Sequence, residues 1–501
     1  MNDYVIVNYD DLTSMEVIEF LGNEINEAGD KHDIEKLKGI IHYAENLDIK
    51  DFSSEEKSIF YYFLSNAWAN QMNQEIAPED IPFVCNKQEK QIFYLRLSIK
   101  YFGHGNSSFQ KAQVYVNLGN SYDHIGRFVD AHIMWNKALE VYPDFGMAIC
   151  NIGHGILRYA RYIDDKTQII YFQKAYNLLK SCLRYNDISI TIKSQIKDLV
   201  NNLEEFIGEQ NLSLSFNWDN YNIGTTKKEI EYREWSLDNR LFLNSLNDIT
   251  INKIAAEDDL FLPSITYKKE NYPNYVYQNI FNQIKQEYVS ARCFLYEAVF
   301  CQEKHFSDKN NYLMDTFDYS IYSYSMEKAK AAYRICYSIF DKIAYLLREY
   351  FRIDVKPHEI NFSKIWYKDR KNKQLREEFN DGQNWAIKGL YWVSKDLYFK
   401  DQNFIVDPDS ENIADIRNFI EHKSFKIIDY DFGGEMKKID NDLTLEISRE
   451  EFEEKALKLL SLVRASIIYL CKGVLIEEEK NKLSGFIASQ EYPEIDEEYK
   501  I

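Results

Sequence analysis

Residues 112–145, AQVYVNLGNSYDHIGRFVDAHIMWNKALEVYPDF, form two apolar stripes with a helical period, and Pro143 ends the second. Gly119 and Ala131 are small at the positions where the two helices would cross closely, and larger residues such as Trp135 would fill the grooves beside them. A hairpin of this length cannot bury its apolar faces alone and must stack against neighbouring hairpins. The stretch therefore predicts a helical solenoid.

Weaker helical periodicity flanks this hairpin on both sides. It marks residues 10–46, 55–71, 87–101, 146–181 and 188–207, the last of which is predicted to cap the array. The predicted array spans residues 1–207, with 112–145 as its clearest unit.

The unit at 112–145 resembles the tetratricopeptide (TPR) repeat at nearly every signature position. The resemblance implies a concave groove that binds an extended peptide or a helix of a partner protein. His124, His132 and His154 fall in this array. We interpret them as groove or packing residues rather than as a metal-ligand set.

The whole chain is predicted to be all-α. Only 8 prolines and 18 glycines interrupt 501 residues, and 45% of the residues are hydrophobic, which is enough for two or three folded domains. After the array we predict an irregular segment at 208–271 that packs on the next domain, and its run LSLSFNWDNYN alternates like a short strand. Residues 272–482 are predicted to form a helical bundle, and 483–501 an acidic, solvated tail.

Charge and cysteine content limit the classes of function. The formal net charge of −20 disfavours a general nucleic-acid binder, because phosphate binding needs clustered lysine and arginine. Seven cysteines without a CxxC pair indicate buried free thiols in a reducing compartment, and the histidines lack the spacing of a metal site. We expect no cofactor. The acidic N-terminus and the charges at Lys458 and Arg464 within the most apolar run favour a cytoplasmic protein without a membrane span.

The candidate site lies on a predicted short helix within residues 410–428. Asp407-Pro408-Asp409 provides a helix start, and Ile413, Ile416 and Ile420 form a stripe that faces a core. The same periodicity places Asp415, Asn418 and His422 close together on the opposite side, with Arg417 on the flank.

Arg417, Asn418 and His422 suit metal-independent RNA cleavage. A histidine can take the proton of a ribose 2′-OH or give one to the 5′-oxygen that leaves. An arginine neutralises charge on the scissile phosphate, and its planar fork fits phosphate oxygens. An amide can hold the histidine tautomer or a ribose hydroxyl.

A basic stretch gives local positive charge that the whole chain lacks. It is predicted either to bind RNA or to be a solvated loop face. Its members are Lys364, Lys368, Arg370, Lys371, Lys373 and Arg376, and Lys423 adds a further cation beside His422.

The phrase IRNFIEHK, set between long apolar helices, resembles the HEPN superfamily, whose ribonucleases carry Arg, often a polar residue, and then His. Arg417, Asn418 and His422 match that pattern. The resemblance implies a homodimer or higher oligomer in which two copies of the motif form one composite site. It implies cleavage of RNA, such as tRNA, to a 2′,3′-cyclic phosphate, controlled by the repeats, in antiviral defence or as a toxin.

Three alternatives stay open from the sequence. In the first, the chain is a non-catalytic TPR scaffold in which the HEPN bundle serves for dimerisation. A second alternative is that His422 caps a helix or satisfies a core carbonyl. The third pairs the HEPN module with a nucleotidyltransferase that modifies a tyrosine near the motif.

Overall fold

A computed structural model describes most of the chain. The described residues are 12–77, 82–163, 165–212, 221–266, 275–300, 304–369, 371, 374–379, 382–397, 410–429, 436–439, 442–480, 494–495 and 500. The predicted helix start at Asp407–Asp409, residues 213–220 of the strand-like run and most of the acidic tail lie outside this part.

The first nine helices stack as successive antiparallel pairs with a final single helix. They are α1 Ser14–Asp30, α2 Ile34–Asn46, α3 Ser54–Glu75, α4 Asn86–Lys100, α5 Ser108–His124, α6 Phe128–Val141, α7 Gly146–Ala160, α8 Asp165–Cys182 and α9 Ile190–Ile207. The predicted helical-repeat character is confirmed, whereas the assignment to the TPR family stays a prediction.

Local sequence explains both the helix starts and the close crossing in the array. Capping boxes, in which the cap hydroxyl and the third helical residue satisfy each other's backbone amides, start α1, α3 and α5. At the α5–α6 crossing, a Cβ atom on Gly119 would lie 2.5 Å from the Trp135 ring. Ala131 is fully buried beside this crossing. Helices α5 and α6 therefore cross closely, as the small residues Gly119 and Ala131 predicted.

The second half of the chain is a helical bundle with small sheets. Three short helices connect it to the array: α10 Glu209–Leu212, α11 Lys227–Asp238 and α12 Leu246–Ile249. The bundle contains α13 Val276–Phe300, α14 Tyr324–Phe351, α15 Trp385–Leu397, α16 Ser410–His422 and α17 Arg449–Lys480. The all-α fold class is confirmed, because the strands are few and short.

The strands form two small sheets beside the bundle. β1 Tyr367–Asp369 pairs antiparallel with β2 Gln374–Leu375. β3 Ser424–Ile428, β4 Lys437–Ile439 and β5 Thr444–Ser448 form a sheet in the order β3-β5-β4. β3 starts two residues after α16 and runs parallel to β5. This sheet therefore fixes the C-terminal end of the candidate helix.

Helix α17 is long and apolar enough to cross a membrane by length and composition. Its most apolar window is 83% buried inside the structure. Arg464, in the middle of the helix, is buried and donates to the Asp248 carboxylate at 2.6 Å. These contacts are those of a core helix in a bundle.

The segment before the bundle is held by buried ion pairs. Arg292 of α13 forms two hydrogen bonds to Asp258, at 2.9 and 2.6 Å. Arg464 donates to the backbone oxygens of Phe242 and Asn244 as well as to Asp248. Burial of a guanidinium is tolerated only with such complete pairing. The two arginines therefore fix this segment on the bundle.

Helix α15 joins the array to the bundle and is buried on all sides from Ala386 to Leu397. Against the array, Gly389 meets Gly126, and a Cβ atom on Gly389 would lie 2.5 Å from the Gly126 carbonyl oxygen. Lys395 forms a buried ion pair with Glu89 of α4. On its other side α15 packs on α17, where the side chain of Ile387 meets Gly473.

A buried network of charges crosses this junction. The Asp396 carboxylate accepts two hydrogen bonds from Arg96, at 2.8 and 2.7 Å, and another from Arg127. Arg127 also donates to Asp130 at 2.9 Å, and the Tyr469 hydroxyl donates to the same Asp130 oxygen at 2.7 Å. Two arginines and two aspartates therefore neutralise one another where helices α15 and α17 of the bundle meet the array.

We predict that Asp396→Asn lowers the free energy of unfolding by about 3–5 kcal/mol, because Arg96 and Arg127 lose their shared carboxylate in a buried site. Urea unfolding followed by circular dichroism measures this. Asp48→Asn, at an exposed pair with Lys50, is the matched control and should leave the midpoint unchanged. An Asp396→Asn midpoint equal to that of wild type would contradict the network's role.

His132 gives the array a predicted sensitivity to acid. Burial against Trp135 lowers the pKa of His132 to about 3, whereas an unfolded histidine titrates near 6.5. Below about pH 6.5 the unfolded chain binds a proton that the folded chain does not, so stability falls as the pH falls. Between pH 6.5 and 5 the loss from this group is about 2 kcal/mol. His132→Leu should flatten the pH dependence of the urea midpoint, and His42→Leu, at an exposed position, should not.

Candidate active site

Helix α16 presents one buried face and one accessible face. Ile413, Ile416 and Phe419 are buried, and the carbonyl oxygen of Ile413 accepts a hydrogen bond from Tyr333 of α14 at 2.9 Å. Ile420, predicted to lie on the core stripe, is only half-buried. The buried face is therefore rotated towards Phe419.

The prediction that Asp415 lies on the open side with Asn418 and His422 is wrong. Asp415 is buried and pairs with Lys438 of β4 at 2.7 Å. The sheet covers this side of the helix, which helical periodicity could not reveal. Asp415 therefore anchors α16 to the sheet.

Arg417 is half-buried against α14. Its guanidinium carbon lies 5.5 Å from the centre of the Tyr337 ring. Asp341 lies one helical turn further along α14 and faces the same guanidinium. Burial raises the pKa of Asp341, and the positive charge of Arg417 partly offsets that rise. Asp341 also accepts the backbone N–H of Phe362 at 3.0 Å. The ring and the carboxyl together hold the Arg417 side chain against α14.

His422 ends α16 and is exposed, and Asn418, one turn earlier, is half-buried. Neither side chain forms a hydrogen bond or ion pair within the described part of the chain. Five residues separate Arg417 from His422, about 140° around a helix, so the two side chains leave in different directions. One copy therefore offers an accessible imidazole with an amide one turn away, and an arginine on its flank.

Three lysines of the basic stretch are exposed in the part of the chain that the structure describes. Lys364, Lys368 and Lys371 are exposed around the β1–β2 hairpin, whereas Arg370 and Lys373 lie outside the described residues. Arg376 donates its Nε–H to the Ile365 backbone oxygen at 2.9 Å and thus serves the hairpin itself.

One backbone contact links the residues just before the basic stretch to the carboxyl that faces Arg417. The Phe362 amide, two residues before Lys364, donates to Asp341. Lys423 instead donates to the Asp442 backbone oxygen at 2.9 Å and stacks 4.6 Å from the Phe419 ring.

Sequence reasoning missed Tyr337 and Asp341. They lie about 80 residues before Arg417 on another helix, and their spacing of four residues along α14 is also that of an ordinary helix face. Only the packing of α14 against α16 gives them a role beside the arginine.

Residues 266–479 match the family model of LA2681-like HEPN domains. The match covers α13 to α17 and includes the whole of α16. It supports a HEPN domain in the C-terminal part of the chain and, at that coarse level, a ribonuclease or nucleotide-binding role. A comparison with curated proteins gives no match. The predicted boundaries of the domains and the roles of single residues stay predictions.

The two faces of α16 give a test of whether His422 is structural. His422→Ala should change the free energy of unfolding by no more than about 0.5 kcal/mol, because the side chain is exposed. Ile416→Ala should cost about 2–5 kcal/mol, because a fully buried side chain leaves a cavity. Urea unfolding of both variants measures the difference. A loss with His422→Ala as large as that with Ile416→Ala would make the histidine a structural residue.

Proposed function

We propose that this protein is a metal-independent endoribonuclease of HEPN type whose active site is completed by a second copy of the chain. The observation that carries the proposal is the exposed His422 at the end of a helix whose other face is anchored through Asp415 and the Ile413 carbonyl. An accessible imidazole without a hydrogen-bond partner is what proton transfer to or from a substrate requires. The HEPN match to residues 266–479 supports the same class.

The composite site follows from the number of proton-transfer groups that the reaction uses. Strand cleavage needs a general base and a general acid, and the motif of one copy supplies a single histidine. Two copies with facing α16 helices supply two imidazoles and two guanidiniums to one cleft. This doubling also concentrates positive charge on a chain whose net charge is −20.

The proposed reaction needs only side chains. One His422 accepts the proton of the ribose 2′-OH, and the 2′-oxygen attacks the adjacent phosphorus. The bond from phosphorus to the 5′-oxygen breaks, and the His422 of the other copy gives that oxygen a proton. The products are a 2′,3′-cyclic phosphate and a 5′-hydroxyl. Arg417 neutralises the charge that builds on the phosphate oxygens, and Asn418 holds a ribose hydroxyl.

The array is proposed to bind a peptide or protein that controls cleavage. Its α5 and α7 helices border a cleft of about 390 Å³. There Asn120 accepts hydrogen bonds from Trp135 at 3.0 Å and from Asn151 at 2.8 Å. The cleft is also lined by His124, His154 and the ion pair of Arg158 with Asp123. Amide and imidazole groups of this kind suit the backbone of an extended peptide.

A second cavity, of about 640 Å³, connects the array to the proposed site. Leu118 and Ile133 of the array line it together with Ile413 of α16, which is one helical turn before Arg417. A change in the array therefore has a short physical route to the motif helix. Antiviral defence or toxin-like cleavage of cellular RNA, including tRNA, is the role that such a controlled nuclease would serve.

We predict that purified protein cleaves total RNA or tRNA in the presence of EDTA and leaves 2′,3′-cyclic phosphate ends. His422→Ala should abolish cleavage, and Arg417→Lys should reduce it at least about 100-fold, because a point charge lacks the guanidinium fork. End-group analysis and gel assays measure both. The matched control is His358→Ala, since His358 is exposed on the same domain but is not part of α16.

Full activity of His422→Ala would exclude the proposed mechanism. A mixture of wild type with an excess of His422→Ala protein tests the composite site, because a mixed dimer keeps only one of the two imidazoles that the reaction uses. Loss of the wild-type activity on mixing supports a shared site, and activity that stays equal to that of the wild-type protein added favours a site within one copy.

The second candidate function is a non-catalytic scaffold with a HEPN dimerisation module. The net charge of −20 and the absence of a direct contact between Arg417 and His422 within the described residues favour it. A scaffold would show no cleavage with any array ligand, and its His422→Ala variant would retain every binding partner.

A further inference from the structure

A loop between α13 and α14 exposes far more apolar surface than its role in one copy explains. We define the aromatic loop as residues 304–324. Tyr312, Met314 and Phe317 are 91%, 90% and 88% exposed. The other exposed large side chains of the loop are Phe306, Leu313, Tyr319, Tyr322 and Tyr324.

The loop is held in one conformation by specific contacts. Its residues 319–321 pair with β3 as an additional edge, where Ile321 donates to the Ile427 oxygen at 2.7 Å. Asp318 accepts hydrogen bonds from Thr316 at 2.7 Å and from the Ser320 hydroxyl at 2.6 Å, and pairs with Lys426 of β3. The exposed side chains are therefore presented on an ordered frame.

Two of the exposed aromatic residues have a strained backbone. Phe317 and Tyr319 have φ angles of 58° and 57°, in the left-handed region that side chains of this size rarely adopt. In one copy this strain places Phe317 in solvent, with no packing gained in return. Strain of this kind persists only where the surrounding structure holds it, here the pairing with β3 and the contacts of Asp318, and it clusters at sites that bind other molecules.

We propose that a second copy of this chain docks on the aromatic loop. Eight side chains of about 200 Å² each, at their observed exposures, offer on the order of 1,000 Å². The largest apolar patch of a typical monomer is about 300–600 Å². A standard interface buries about 800 Å² per partner, so the loop alone can supply one side of a stable dimer.

Charge favours a second copy over RNA as the occupant. The loop contains two lysines and three aspartates, Lys304, Lys309, Asp308, Asp315 and Asp318. RNA would require an excess of cations here. Two copies that each carry a net charge of −20 repel each other least where their surfaces are nearly neutral and apolar. An isologous contact of the loop with itself meets this condition.

This interface differs from the proposed catalytic one. Ser320 bridges to Ile428 at the end of β3, whereas His422 lies two residues before its start at Ser424. The strand separates them by about 13 Å or more. Contact through the aromatic loop therefore neither uses His422 nor depends on cleavage, and together the two interfaces would produce an oligomer higher than a dimer.

The test is the mass in solution of the full chain with Tyr312→Ser, Met314→Ser and Phe317→Ser combined. Sedimentation equilibrium over a range of concentrations should show half the wild-type mass for this variant, with an unchanged far-UV circular dichroism spectrum because the three side chains are exposed. Ile190→Ser with Phe206→Ser, which removes exposed apolar side chains from α9, is the matched control and should keep the wild-type mass.

An unchanged mass of the triple variant overturns the proposal, and so does a wild-type protein that is monomeric at every concentration. Binding of wild type to a single-stranded RNA oligonucleotide or to phosphatidylcholine vesicles, lost in the triple variant without a change in mass, also overturns it and assigns the loop to that ligand. The triple variant leaves α16 intact, so an unchanged mass of this variant leaves the proposed nuclease function standing. A wild-type protein that is monomeric at every concentration overturns the shared catalytic site as well. Absence of cleavage by wild type, in turn, leaves the loop interface standing, because the mass does not depend on cleavage.

Discussion

The fold depends on the carboxylate of Asp396 and the two arginines that it binds. Arg96 and Arg127 belong to the array, and Asp396 belongs to α15. The hydrogen-bond network continues from Arg127 through Asp130 to Tyr469 of α17. Because these side chains are almost fully buried, each charge is tolerable only while the others are in place. The array and the bundle are thus joined by an interaction that is strong when complete and costly when broken, which favours one fixed arrangement.

That fixed arrangement gives the candidate site its character. The sheet holds Asp415 and the core holds Ile413 and Ile416, so α16 has little freedom except at its exposed end. Arg417 is oriented by the Tyr337 ring and the Asp341 carboxyl, whereas His422 and Asn418 have no hydrogen-bond partner within the described residues. An anchored helix with an open imidazole suits a site whose missing half comes from another molecule. The cavity between array and bundle reaches the same helix at Ile413.

The bundle exposes two surfaces of different chemistry. The end of α16 is polar and accessible, and the β1–β2 hairpin exposes lysines. The aromatic loop is apolar and lies at the far end of β3. The first surface suits a phosphate-containing substrate, and the second suits a protein surface like itself. A nuclease that assembles through one surface and cuts at another can couple its activity to concentration.

The sequence alone determined the helices, because their apolar period, their capping residues and the small residues at Gly119 and Ala131 are local properties. It also determined the motif residues Arg417, Asn418 and His422 and the HEPN resemblance, which the family match supports. Only the tertiary structure decided that Asp415 is buried under Lys438, that Tyr337 and Asp341 hold Arg417, and that Asp396 joins the two halves. The reason is that helical periodicity specifies which residues share a face, but not which distant element covers that face.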